Sequence, residues 1–294
     1  MILFVSGRTD IVAFYSEWFM NRYREGFVDV RNPFSYHFVN RIYFKDVDAI
    51  LFCTKNPGPI VDKLESIDKP IMFHVTITPY LGDIEPCVKN KSQIIADVKK
   101  ISQILGSDNV VVRYDPIFIN DVYTVGYHIR AFSKLCEKLN GYVSTIIVSF
   151  IDDYKNVRKN ADILRIKPLT ENDLRELAVS FSSVAAKYDI TVQTCAEERK
   201  LLEYGFSSGE CMSPDLAFKL TNKKFKRWKS RNNNNCNCVE MVDIGVYNTC
   251  SHLCKYCYAN FDEEKVKILR GKHDPTSTLL IGHLDNGDEI KIRK

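Results

Sequence analysis

The chain has 294 residues, 41 of them basic and 37 acidic, with 45% apolar and 27% charged residues. That balance excludes a disordered, collagen-like or small disulfide-stapled chain, and a net charge of +4 does not by itself mark a nucleic-acid binder. The ten cysteines are the outlier, and five of them fall between Cys236 and Cys257.

The first candidate strand is Ile2 to Ser6. Its surroundings, Met1 to Asp10, have no basic leader and too few apolar residues for a signal peptide, and no apolar run approaches the ~18 residues of a membrane span. A cytoplasmic protein is expected, where thiols stay reduced and clustered cysteines hold metal or do redox work. The segment from Val28 to Phe44 breaks the pattern and reads as a hairpin or extended excursion. Further strands are expected at Ala49 to Thr54, Ile71 to Thr78, Val110 to Asp115, Ser144 to Phe150 and Thr191 to Cys195, several apolar throughout as in parallel sheets covered on both faces. Between them lie helical stripes. Ile94, Val98, Ile101 and Leu105 form one; Leu174, Leu177, Ala178, Phe181, Val184 and Ala185 form another, opened by a Thr170/Asp173 capping box.

Strand-helix-strand repetition predicts an α/β fold with a parallel sheet, either a partial (β/α)6 TIM-like barrel or an open doubly wound sheet, and the partial barrel, over residues 1–220, is the one expected. Residues 221–294 are expected to pack on it as a cysteine-bearing cap within one structural unit. The strand ends turn polar at Arg8 and Asp10, Lys55, Thr76, Arg113 and Asp115, Ser149, and Gln193 and Glu197. Ligands of α/β folds sit at such ends, although helix capping alone also places polar residues there. Lys223 to Arg231 carries six positive charges. With no companion motif it reads as a solvated segment with Phe225 and Trp228 tucked inward, and nucleic acid is not an expected partner. Asn232 to Asn235 reads as a linker. Thr278 to Leu284 and Glu289 to Arg293, around Asp285-Asn-Gly-Asp288, predict a terminal β-hairpin.

The sharpest motif is Cys250-Ser-His-Leu-Cys254-Lys-Tyr-Cys257. Three thiolates on one loop can ligate three irons of a [4Fe-4S] cube and leave the fourth open. Structural zinc would need Cys236, Cys238 or a histidine as a fourth ligand, and a fully ligated electron-transfer cluster is a further alternative. The spacing, with aromatic Tyr256 before the last cysteine, resembles the radical SAM superfamily. Ser6-Gly-Arg-Thr-Asp-Ile11, Thr54-Lys-Asn-Pro57, Arg113-Tyr-Asp-Pro116, Cys195-Ala-Glu197 and Asp243 to Cys250 together resemble a microbial radical SAM-like family catalogued as domain of unknown function (DUF) 1848. The resemblance implies a [4Fe-4S] cluster on Cys250, Cys254 and Cys257, S-adenosylmethionine on its open iron, and hydrogen abstraction by a 5′-deoxyadenosyl radical. An electron donor such as a flavodoxin or ferredoxin is then implied, with a small-molecule or modified-residue substrate.

In most radical SAM enzymes the cysteine loop follows the first strand; here it comes last. A C-terminal segment folded over the strand ends would restore its place. Arg8, Asp10, Lys55, Arg113 and Asp115 are then the candidate catalytic residues, and Thr76, Ser149, Gln193, Glu197 and Tyr256 the candidate cofactor contacts, with Arg113 and Asp115 alternatively a structural ion pair. Cys195, Cys211, Cys236 and Cys238 are candidates for a second Fe-S cluster or zinc site. Cys53 and Cys136 are expected in the core, and Cys87 is expected to be incidental. The competing class is a non-catalytic metal-binding module.

Overall fold

The computed structural model describes residues 1–195, 199–228, 236 and 238–293. In chain order, β1 (Ile2–Val5) leads through α1 (Ile11–Phe14) and α2 (Ser16–Glu25) to β2 (Phe27–Arg31) and β3 (Phe38–Tyr43). Then come β4 (Ala49–Thr54), β5 (Ile71–Thr76), α3 (Lys91–Leu105), β6 (Val110–Ile117), α4 (Val125–Leu139) and β7 (Thr145–Phe150). They are followed by α5 (Lys155–Lys159), α6 (Ala161–Leu164), α7 (Glu171–Ala186), β8 (Thr191–Cys195) and β9 (Ser207–Gly209). Last are α8 (Pro214–Thr221), β10 (Met241–Asp243), α9 (Glu263–Arg270) and β11 (Glu289–Ile292).

Eight strands form one parallel sheet in the order β10-β1-β4-β5-β6-β7-β8-β9. The expected six strands are all present. The count is corrected to eight, because β9 and β10 extend the two edges, and the sheet is open. From β1 to β9 the order never reverses, so crossovers of one hand keep the connecting helices on one face.

The strands' alternation separates two faces. Leu3, Val5, Ile50, Phe52, Phe73, Val112, Ile146 and Val192 point into a core shared with α2, α3, α4 and α7. On the opposite face Ile2, Ala49, Leu51, Met72, Val111 and Ile147 pack against Met212, Ala217 and Val239 from the later part of the chain. Two further residues along each strand, that second face turns polar, with Cys53, His74, Arg113, Ser149 and Gln193 in the same alternation. The capping box of α7 is formed as expected. Phe181 on that helix stacks on Phe132 of α4 at 3.9 Å, with Tyr114 edge-on to both rings.

The excursion at 28–44 is an antiparallel β2–β3 hairpin. The terminal hairpin is not formed. A turn does close from Asp288 N–H to Asp285 C=O at 3.0 Å, but β11 runs parallel to β3 while Leu279 bridges Asp29 of β2. The two arms therefore flank the β2–β3 hairpin instead of pairing with each other. Arg31 of β2 fixes the turn through Asp288 Oδ2 at 2.7 Å. The basic run is not helical over its described part: Phe225 packs on the second face as expected, Trp228 is exposed and not tucked inward, and Lys223 pairs with Asp48. Residues 229–231 and the Asn232 to Asn235 linker lie outside the described residues. Among the described residues no helix is long and apolar enough to cross a membrane.

Removing the buried ring in Phe181→Ala leaves a cavity between α4 and α7. The expected cost is about 3–5 kcal/mol, read from the midpoint of a urea unfolding curve; a change under 1 kcal/mol would show that this stack does not anchor the helix layer.

Candidate active site at the strand ends

Because β10 lies parallel beside β1, the chain leaves both strands at the same end of the sheet. Asp243, the last residue of β10, ties the two exits together. Its carboxylate accepts the Ser6 hydroxyl at 2.8 Å, Gly7 N–H at 2.8 Å and Gly245 N–H at 2.7 Å. Arg8 adds Nε at 3.3 Å and a guanidinium bond to the Asp243 carbonyl. Gly245 has to be glycine: a Cβ there would stand 1.9 Å from Ser6 Oγ.

The cysteine loop is then held by its backbone and by two buried clamps. Tyr15 donates to Thr249 C=O at 2.6 Å, Asn156 to Cys257 C=O at 3.1 Å and Asn160 to Lys255 C=O at 2.7 Å. Asn260 donates to Cys250 C=O and accepts from Cys250 N–H. Leu253 takes a left-handed φ of 54°, a costly conformation for a non-glycine residue that these contacts enforce.

The first clamp joins His252 Nε2 to Asp10 Oδ2 at 2.9 Å. Asp10 is buried, and its oxygens also accept Ala13 N–H at 2.9 Å, capping α1, and Lys55 N–H at 2.8 Å. The second clamp is Glu85, 3% exposed. It accepts from Lys55 Nζ at 2.7 Å, from the Thr78 hydroxyl at 2.5 Å, from Lys91 and from the Tyr256 hydroxyl. Burial pushes the Glu85 carboxyl up, but Lys55 and Lys91 outweigh it and hold it at about 2. Burial lowers Lys55, yet Glu85 and Cys254 raise it overall, so it stays charged.

Cys250 and Cys254 are 9% and 6% exposed, and Cys257 is half-buried. Burial pushes all three thiols up, and for Cys250 the neighbouring charges of Asp10, Cys257 and Cys254 add to it. Ala259 N–H points at Cys257 Sγ at 3.4 Å. Tyr80, Ile84, Phe118, Tyr123 and Val157 make an apolar shell around Cys254 and Tyr256. Among the described residues no group of three or more His, Cys, Asp or Glu side chains is placed so that it could hold a metal ion.

The other candidate residues divide by position. Arg113 and Asp115 form an ion pair at 2.5 Å on the second face, and Arg113 Nη1 also reaches Cys211 Sγ at 3.2 Å. Thr76 ends β5, Ser149 lies near the end of β7, and Gln193 faces Gly209, where a Cβ would meet it at 2.5 Å. Glu197 lies outside the described residues. Cys195 and Cys211 are brought together at 3.6 Å between sulfurs. Hydrogen bonds with Cys195 and Cys238, then the Arg113 charge, hold the Cys211 thiol well below the usual value. Cys136 is in the core as expected. Cys53 packs, half-buried, against the apolar cluster of the second face, and the exposed Cys87 uses its backbone to bracket His252. Sequence reasoning named neither Glu85, Asp243, His252 nor His74 as site residues. Asp243 and His252 stood inside the quoted motifs, whereas Glu85 carried no local signal.

The class defined so far is an open parallel α/β protein whose cysteine loop lies at the polar ends of its strands. The chain belongs to the family Domain of unknown function (DUF1848), whose profile matches residues 2–259. The match includes the whole cysteine loop and stops before α9 and β11. No curated protein and no solved structure matches the chain.

Glu85→Gln leaves two part-buried lysines facing a neutral amide and is expected to cost about 3 kcal/mol at neutral pH, the lower end of what breaking a buried pair costs. The folded carboxyl lies below its ordinary value of 4.5, so its stabilisation is complete above 4.5 and is lost as pH falls through about 2. The wild type should therefore lose more stability than the variant over that acid window in unfolding curves; parallel pH profiles would remove Glu85 from this role.

Proposed function

We propose that this protein is a radical SAM enzyme in which Cys250, Cys254 and Cys257 hold a [4Fe-4S] cluster at the carboxyl ends of β1, β4 and β5. The observation that carries this reading is the pairing of β10 with β1, which sets a late three-cysteine loop beside the exit of the first strand. The donor set suits the cluster: three soft sulfurs on one loop, an N–H aimed at one of them, and an apolar shell around another. When bound, the cluster with S-adenosylmethionine on its open iron supplies a 5′-deoxyadenosyl radical for hydrogen abstraction from a small molecule or modified residue.

The chain's own residues bind, orient and exclude. Glu85 and Asp10 fix Tyr256 and His252, which keeps Cys254 between them in register and bounds the positions of Cys250 and Cys257 on either side. The shell of Tyr80, Phe118 and Tyr123 excludes water around Cys254. Thr76, Ser149 and Gln193 supply polar contacts on the second face, and Glu197, outside the described residues, is proposed as a further cofactor contact. The charges of Lys55 and Arg113 suit the carboxylates of S-adenosylmethionine or substrate. The one-sided winding of the helices suits the partial barrel expected from the sequence. An electron donor of the flavodoxin or ferredoxin class completes the system, and reduced thiols suit the cytoplasm.

Anaerobic reconstitution should load about four irons and four sulfides onto the loop, and reduction with S-adenosylmethionine should release 5′-deoxyadenosine. Serine at Cys250, Cys254 and Cys257 should abolish both. Zinc bound to the loop in protein isolated without air, and lost with the three serines, would overturn the cluster. A reducible cluster that never cleaves S-adenosylmethionine would overturn the enzyme and leave an electron carrier.

A further inference from the structure

A second group of thiols lies apart from the cysteine loop, on the same face of the sheet. Parallel pairing of β8 with β9 places Cys195 opposite Gly209, two residues before Cys211. Val239 N–H donates to Met212 C=O at 2.9 Å, which draws Cys238 to the same spot. Cys195 and Cys211 stand 3.6 Å apart at sulfur, and both Cys238 and His74 lie within hydrogen-bonding reach of Cys211. His74 is 1% exposed, and its Nδ1 is buried without a hydrogen-bond partner. A buried imidazole nitrogen left unpaired on a ring that reaches the Cys211 thiol, itself grouped with Cys195 and Cys238, is a donor short of an acceptor.

The sulfur separation selects the kind of ion. Thiolates bound tetrahedrally to one zinc at about 2.3 Å stand roughly 3.8 Å apart, whereas thiolates of a [4Fe-4S] cube sit on separate irons and lie much farther from one another. We propose that Cys195, Cys211, Cys238 and His74 form a site for a single tetrahedral, thiolate-seeking divalent cation of the zinc class. The four side chains do not enclose an ion as they stand; binding would draw Cys238 and His74 onto the Cys195–Cys211 edge. Three thiolates and a neutral imidazole leave the occupied site with one net negative charge. Arg113 Nη1 at 3.2 Å from Cys211 Sγ offsets that charge, and Asp115 orients the guanidinium. The role is structural: the ion would fasten the segment around Met212 and Val239 to β8 and β5, filling the second face.

The test uses the full chain with Cys250, Cys254 and Cys257 all changed to serine, so that its result is independent of the loop cluster. Purified without air, this protein should carry zinc equimolar with chain, and cobalt should replace it with the visible absorption of tetrahedral thiolate coordination. Cys211→Ser and His74→Gln should each remove most of the metal while Cys236→Ser retains it. Arg113→Gln should retain it with affinity weakened about 10–100-fold in chelator competition. If the triple-serine chain does not fold, cobalt titration of unreconstituted wild-type protein gives the same readout, with Cys211→Ser as its control. A metal-free protein, iron accompanied by labile sulfide on these residues, a Cys195–Cys211 disulfide in their place, or loss of metal from Cys236→Ser but not His74→Gln would overturn the assignment.

Discussion

The carboxylate of Asp243 is the contact on which the arrangement of the candidate site depends. A three-residue strand such as β10 has few ladder bonds to hold it, so the polar knot of Ser6, Gly7, Arg8 and Gly245 around that carboxylate fixes where the following chain emerges. Charge-assisted hydrogen bonds are stronger and more directional than neutral ones, which suits them to setting an exit angle. Everything beyond, including the tyrosine and histidine clamps on the cysteine loop, is aimed by that choice.

Two buried carboxylates, one of which the strand-end pattern alone would class with reacting groups, are engaged in holding the loop. Asp10 has a backbone N–H on each oxygen and His252 as well; Glu85 has two lysines, a threonine and Tyr256. Carboxylates so fully satisfied are rigid and hold their neighbours to a narrow geometry. Thr76, Ser149 and Gln193 share the second face with Arg113, away from these two clamps.

The six central strands were legible because each is a short apolar run buried on both sides, a pattern set within the strand itself. The α7 helix was legible for the same local reason, its capping box and stripe lying within sixteen residues. The terminal hairpin was misread although its turn does form. Ile290 and Ile292 suit a strand, but nothing near them says that β3, far back in the chain, offers the better edge. Strand β10 is too short to announce itself. The role of Glu85 depends on Tyr256, 171 positions away, and no window on the sequence contains both. The cysteine spacing was legible because ligand chemistry is written into a few adjacent residues, whereas the face those residues meet is not.

The pairing of Ile2 with Met241 also sets a schedule. During synthesis β1 and the strands after it can assemble with their helices while the outer edge of β1 remains bare, since its partner has not yet been made. An unpaired strand edge is a site for unwanted pairing with another chain. The capping of that edge and the delivery of the cysteine loop are therefore one event, late in the life of the nascent chain. Any cluster must be inserted after most of the protein has folded, into a scaffold already built to receive it.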